Sequence, residues 1–428
     1  MPVWHLSSYS NPPRYVRLSG PASAPVVEAD VIVNAEAGAS DTTRGIYSPD
    51  DGQTIYIVGA DAATNAQSNT FLLSTDGGAT WTNKSADVWR PGADIPNGLG
   101  ISGFSGDQSI LACAQTAFAG SGFFKYNTVA ETLDRTGVPN HEYCNSIWAV
   151  PGTNYVYAVD FADPGNRSLW YSDDRGATWQ QDLSYVTLGA GDGALHVVTD
   201  PRDGLIWTAA GRGGMIQFRY GYLGGGWTLE APFAGGPQFR EGRVLCCDET
   251  GAVWFFNNTD SKLYRRDPTS GVWASPLTTA GGARGGLWVV DSENIMLSGG
   301  NGHIYIWDGS SWYTHLAVVD IGLTAGSYWA VWGVGDAAPG CPDSIISPPY
   351  EIIEADFTIK NASRLPYEFQ GENDCGVRVV PFSYNTPGRI FRNRVTAPSS
   401  SGNSCVMPHT VVKTKREKEK QPLTGSVE

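Results

Sequence analysis

The chain writes one strand–turn–strand phrase six times in full and a seventh time in part, at starts about 43 to 56 residues apart. The phrases are "GIYSPDDGQTIYIVG" from Gly45, "ISGFSGDQSILACA" from Ile101, "IWAVPGTNYVYAVD" from Ile147 and "LHVVTDPRDGLIWTAA" from Leu195. Then come "VLCCDETGAVWFFN" from Val244, "LWVVDSENIMLSGG" from Leu287 and the partial "AVWGVGDAAPG" from Ala330. Asp, Gly, Pro or Asn punctuates each turn, and β-branched or aromatic residues fill the flanks. A third strand-like run follows in the first six units, as in "NTFLLSTD", "GFFKYNT", "RSLWYSDD" and "GHIYIWDG". A Trp comes next in five of them (Trp81, Trp179, Trp227, Trp273 and Trp312), whereas the second unit writes "ETLDRT".

A unit of this size cannot bury both faces of its sheet alone, so the array has to close. The pattern predicts an all-β fold: a β-propeller of about seven four-stranded blades, with six as the alternative count. Such rings usually close by pairing strands from the two termini, which removes the exposed edge. "DVIVNAEA" at 30–37 has the character of that closing strand. The expected organisation is an N-terminal segment 1–43 carrying the closing strand, the propeller over 44–340, a divergent β-rich docking extension over 341–412, and a charged tail over 413–428.

Composition supports many short strands and tight turns. The chain holds 15 Trp, 19 Tyr and 52 Gly, with only 17% charged residues, which is the wrong mixture for long surface helices. A formal net charge of −14 repels phosphate backbones and argues against a nucleic-acid partner. No run approaches the length of a membrane-spanning helix, so no membrane insertion is expected. The opening "MPVWHLSSYSNPPRYVRLSG" has neither the basic start nor the apolar core of a secretory signal. Of seven Cys, Cys113, Cys144, Cys246 and Cys247 sit in strand-like settings and read as small buried hydrophobes. Cys341, Cys375 and Cys405 lie in the divergent region and leave room for one disulfide. No CxxC occurs and the His are scattered, so neither a metal nor a cofactor is expected.

Two octapeptides stand out, "STDGGATW" at 74–81 and "SDDRGATW" at 172–179. Both fit Ser-x-Asp-x-Gly-x-Thr-Trp and resemble the Asp-box, or BNR repeat, with decayed copies in "RRDPTSGVW" and "IWDGSSW". That family includes sialidases, sortilin-type receptors, photosystem assembly factors and many virion proteins. The resemblance spans about residues 44–335 and implies a propeller whose boxes lie on the turns between third and fourth strands, away from the central channel. Locally, Asp76 and Asp174 can accept turn N–H groups, Gly78 and Gly176 suit a tight turn, and Trp81 and Trp179 can cover the blade edge. Ser74, Thr80, Ser172 and Thr178 complete the two structural boxes.

The catalytic alternative is a sialidase-like glycoside hydrolase. The resemblance implies three arginines for a substrate carboxylate, a Tyr nucleophile polarised by a Glu, and an Asp acid–base. Blade alignment places Arg44, Arg243 and Arg284 just before first strands, with Glu241, Glu142, Tyr143 and Asp192 in equivalent approaches. The family's Phe/Tyr-Arg-Ile-Pro signature is missing, the nearest fragment being "VWRPG" from Val88. The favoured expectation is therefore a non-catalytic binding or structural propeller. It would be a virion component (phage tail, fibre or capsid decoration), or otherwise extracellular, attached through its C-terminal region. Its partners would be other proteins of a larger assembly or a surface glycan. An assembly-factor or receptor-type protein-binding propeller is the remaining alternative.

Overall fold

A computed structural model describes the chain from Pro2 to Val334 with gaps at 10–12, 34–40, 62–69, 85–96, 105–108, 116–122, 128, 131, 137–143, 161–168, 186–192, 213–214, 235–243, 258–259, 281–285, 300–301, 318 and 324–326. Beyond 334 it describes only 378–379 and 395–396. The chain divides into two compact units, Met1–Ser347 and Pro348–Glu428. Within the second, Arg378–Val379 pairs antiparallel with Val395–Thr396. The expected docking role of 341–412, its three Cys and the charged tail otherwise fall outside the described residues.

The first unit opens with β1 (Val3–Tyr9), β2 (Arg14–Ser19) and β3 (Val26–Ile32). Blade 1 is β4 (Asp41–Tyr47), β5 (Ile55–Asp61), β6 (Thr70–Ser74) and β7 (Thr82–Asn83). Blade 2 is β8 (Asn97–Gly103), β9 (Ser109–Gln115), β10 (Phe123–Asn127) and β11 (Thr132–Thr136), and blade 3 is β12 (Cys144–Ala149), β13 (Val156–Asp160), β14 (Leu169–Ser172) and β15 (Gln180–Gln181). Blade 4 follows as β16 (Gly193–Thr199), β17 (Ile206–Arg212), β18 (Met215–Gly221) and β19 (Thr228–Ala234). Blade 5 is β20 (Leu245–Cys247), β21 (Val253–Asn257), β22 (Lys262–Arg266) and β23 (Trp273–Thr278). Blade 6 is β24 (Leu287–Asp291), β25 (Asn294–Ser298), β26 (His303–Trp307) and β27 (Trp312–Leu316), after which β28 (Ser327–Val334) completes the unit.

Each of these blades is an antiparallel sheet paired in chain order, and the seventh sheet has the order β28-β1-β2-β3. The first strands adjoin one another in the sequence β4, β8, β12, β16, β20, β24, β28 and back to β4, so the array is a closed seven-bladed ring. Seven is thus the count, and the six-blade alternative is set aside.

Closure differs from expectation. The sequence pattern points to a single strand within 30–37 as the seal of the ring. Instead three N-terminal strands complete the last blade, with β1 laid along β28 from Val3↔Val334 to Tyr9↔Ser327. The "DVI" of the expected closing strand ends β3, the outermost strand, paired only to β2. The physical reason is economy of edges: β28 alone would leave a one-strand blade, and three partners are needed to build its sheet.

Packing follows position within the blade. Middle strands are covered by blades on both sides and read as continuous apolar runs, as in Val253–Asn257, where all five residues are buried. Outermost strands meet water. They are cut to two residues in β7 and β15, or carry Pro232 and Pro276 in β19 and β23, which blunts them against further pairing. Apolar clusters fill the junctions: Tyr56, Phe71, Ile110 and Phe124 between blades 1 and 2, for example, and Met296, Ile304, Leu6 and Val16 between blades 6 and 7. Each fully buried side chain of this size contributes about 1.5–3 kcal/mol of transfer free energy.

Nearer the axis, side chains of first strands reach the backbone of the next blade. Ser102 Oγ accepts from Ala149 N–H at 2.9 Å, Ser146 Oγ accepts from Val197 N–H at 3.4 Å, and the Cys246 thiol donates to Leu287 O at 3.4 Å. Cys246 is accordingly buried, as its strand setting leads one to expect, whereas Cys247 beside it is only partly buried.

Candidate functional site

The side chains of the catalytic constellation in the glycosidase alternative lie outside the described residues. Arg44 lies within β4, not ahead of it, and its side chain is outside the described set. Arg243, Arg284, Glu241, Glu142, Tyr143 and Asp192 also lie outside the described residues. Among the described residues, no group of three His, Cys, Asp or Glu is placed to hold a metal ion.

The octapeptide turns, by contrast, lie wholly among the described residues. Both connect third to fourth strands, β6 to β7 and β14 to β15. In the first, Ser74 Oγ donates to Asp76 Oδ1 at 2.8 Å and accepts from Gly78 N–H at 2.8 Å. Asp76 in turn accepts from Thr80 N–H at 2.8 Å and from the Thr80 hydroxyl at 2.5 Å. The second turn repeats this: Ser172 to Asp174 at 2.7 Å, Gly176 N–H to Ser172 at 2.7 Å, and Thr178 N–H and hydroxyl to Asp174 at 2.8 and 2.6 Å. Thr80, first of the donors to Asp76, holds that carboxyl down to about 2. At Asp174 burial works upward but is outweighed by Thr178 and Ser172, leaving it also at about 2. These carboxylates stabilise the turns fully above the ordinary carboxylate range near pH 4, and that contribution is lost as pH falls toward 2.

A third turn of the same kind escaped sequence analysis. In "SPDDGQT", Ser48 accepts from Gly52 N–H at 2.8 Å, and Asp50 accepts from Thr54 N–H at 2.6 Å and the Thr54 hydroxyl at 2.7 Å. It joins first to second strand, β4 to β5, and Ile55 stands where the others carry Trp. The spacing Ser-x-Asp-x-Gly-x-Thr was present, but the missing Trp and the different turn hid it. It lies beside the first octapeptide turn: Gly77 N–H donates to Gln53 O at 2.9 Å, and the Gln53 side-chain amide donates to Thr75 O at 3.0 Å. The decayed copies keep only an Asp-centred turn, in which Asp267 and Asp308 each accept from two backbone N–H groups.

These turns fasten neighbouring blades. Trp81 lies 5.1 Å from Tyr15 on the third strand of blade 7, and its Nε1 donates to Gly78 O at 3.0 Å. Trp179 stacks at 3.9 Å on Phe123 of blade 2, and Trp273 stacks at 4.5 Å on Phe218 of blade 4. In all three cases the Trp covers an aromatic ring on the third strand of the preceding blade. Each of these three turns thus couples a hydrogen-bonded loop to an inter-blade aromatic contact.

Ser172→Ala removes the acceptor of the buried Gly176 N–H together with one donor to Asp174. The expected cost is about 2 kcal/mol, read as a lower urea midpoint with unchanged slope. A change below about 0.5 kcal/mol would show the turn to be ornamental.

No protein-family model and no curated protein matches the chain. Among solved structures, a Bacteroides uniformis protein assigned as a candidate 6-phosphogluconolactonase is similar with TM-score 0.52 and 12% identity, over 78% of this chain and 99% of that one. YCF48 bound to a D1 peptide gives TM-score 0.48 and 15% identity over 67% and 85%, and YCF48 from Cyanidioschyzon merolae gives 0.45 and 15% over 68% and 89%. The likeness to the Bacteroides protein is one of fold alone.

Proposed function

We propose that this chain is a non-catalytic propeller of the Asp-box type, a binding scaffold within a larger assembly, with a virion as its setting. Its partners are proteins of that assembly, and a surface glycan is the alternative ligand. One observation carries the scaffold reading. The most strongly patterned acids, Asp76 and Asp174, have both carboxylate oxygens engaged by Ser and Thr of their own turns. Carboxylates spent in this way hold blades together and are not poised for proton transfer. The second support is architectural, since a closed ring offers two broad faces built from connecting loops, a form suited to docking. The virion setting rests on the low-charge, Gly- and aromatic-rich composition and is the finer part of the proposal.

Two measurements test it. Mass spectrometry of purified particles from the phage or host that encodes the chain is expected to find it in fixed copy number, and its absence from the particles overturns the virion setting. A fluorogenic sialoside is expected to show no turnover. Turnover that disappears in Arg44→Ala and Arg243→Ala overturns the scaffold reading in favour of the glycosidase.

A further inference from the structure

The ring is covalently open at one place only, where β28 and the N-terminal strands share a blade. A titratable ring is sealed into that seam. His5 on β1 pairs with Trp332 on β28 and Arg17 on β2, and it is 1% exposed. Its imidazole lies 4.9 Å from the Trp332 ring, and Nδ1 is 2.7 Å from the Tyr15 hydroxyl. Nε2 has no hydrogen-bond partner among the described residues and faces the turn of blade 1, where a Cβ on Gly52 would lie 2.8 Å from it. One side chain therefore touches the first and last strands of the ring and the next blade.

We propose that this seam is an acid-sensitive latch: protonation of His5 favours release of the N-terminal strands from β28 and blade 1, opening the ring. The tautomer with hydrogen on Nδ1 donates to Tyr15, whose hydroxyl donates onward to Gly77 O at 3.4 Å, so the neutral ring is satisfied with Nε2 bare. A second proton on Nε2 would sit against Gly52, buried and without an acceptor.

The charged groups around it offer no relief. Arg17, the cross-strand neighbour, is itself a cation, paired with Glu28 of β3 at 2.8 Å. On the blade 1 turn, Asp50 is engaged by Ser48 and Thr54, and Asp51 is exposed to water. Tyr15 is held neutral by burial. Burial first, then Arg17, pushes His5 from its ordinary range down to about 3. A depressed histidine favours the closed seam fully at neutral pH. It withdraws that support as pH falls through 6.5, and the loss is complete near 3.

Hydrogen exchange on the full chain at pH 7.5 and 4.5, corrected for intrinsic rates, tests the latch. Within this window the octapeptide carboxylates Asp76 and Asp174 stay ionised. Opening of β1, β2 and β28 is expected to rise about a hundredfold, with β13, β17 and β21 unchanged. His5→Gln, or His5→Phe should Gln misfold, is expected to abolish the rise. An equal acid response in either variant, or one spread evenly over all blades, overturns the proposal.

Discussion

Gly78→Val is expected to lower the unfolding free energy by about 4 kcal/mol or more, enough to leave little folded protein at 37 °C. Two causes act together. Gly78 has φ +91°, where a β-branched side chain is strained, and its Cβ would lie 2.1 Å from the Tyr15 ring. Tyr15 cannot retreat: it is fully buried, hydrogen-bonded to His5 at 2.7 Å and covered by Trp81. The control lies one residue away. Gly77 has φ +71° but nothing closer than 3.7 Å to its added Cβ, so Gly77→Ala should cost only about 1 kcal/mol of backbone strain. In blade 3 the equivalent Gly176 meets the terminal Leu111 methyl at 2.5 Å, a group that can swing aside, so Gly176→Ala falls between the two. Guanidinium titrations of the three variants give the order. Equal costs at 77 and 78 would mean the contact with Tyr15 does not bear on stability.

The blades were legible in the sequence because their middle strands are buried on both faces, so runs such as "VWFF" and "IYIV" survive as uninterrupted apolar words between turn residues. The N-terminal strands were not. In β1 the buried residues include His5, Ser7 and Ser8 beside Trp4 and Leu6, so neither alternation nor an apolar run appears. That strand lies between β28 and β2 with blade 1 against it, and burial there reflects tertiary position more than residue type. The octapeptide turns were legible as Asp-centred loops accepting backbone N–H groups, whereas the Ser and Thr hydroxyl bonds to the same Asp were not read from the pattern. Their inter-blade role was only half visible. The Trp could be seen to cover an edge, but Tyr15, Phe123 and Phe218 stand about 55 to 65 residues away and carry no mark of the contact.

The second large effect belongs to Phe218. This ring on β18 is fully buried, stacks at 4.5 Å on Trp273 and meets Phe255 edge-on at 4.9 Å, so it joins the outer and inner parts of the junction between blades 4 and 5. Phe218→Ala is expected to cost about 3–5 kcal/mol, combining lost transfer free energy with a cavity that two rigid strands cannot close. Phe218→Leu, which refills most of the volume, should cost about 1 kcal/mol. The Trp273 indole N–H donates to Glu230 at 3.0 Å, and Glu230 also accepts two bonds from Arg266 at 2.7 and 3.1 Å, so the polar rim of the junction is built independently of the phenyl ring. Trp273 should therefore stay in place in the alanine variant, with its emission shifted to the red as water reaches the emptied face. The denaturant slope decides how the ring fails. In a closed ring, blade 4 keeps its contact with blade 3 and blade 5 keeps its contact with blade 6. An unchanged slope with a lowered midpoint then means that all seven blades still unfold together. A reduced slope would mean that this junction opens first and that cooperativity around the ring depends on every aromatic seam being intact.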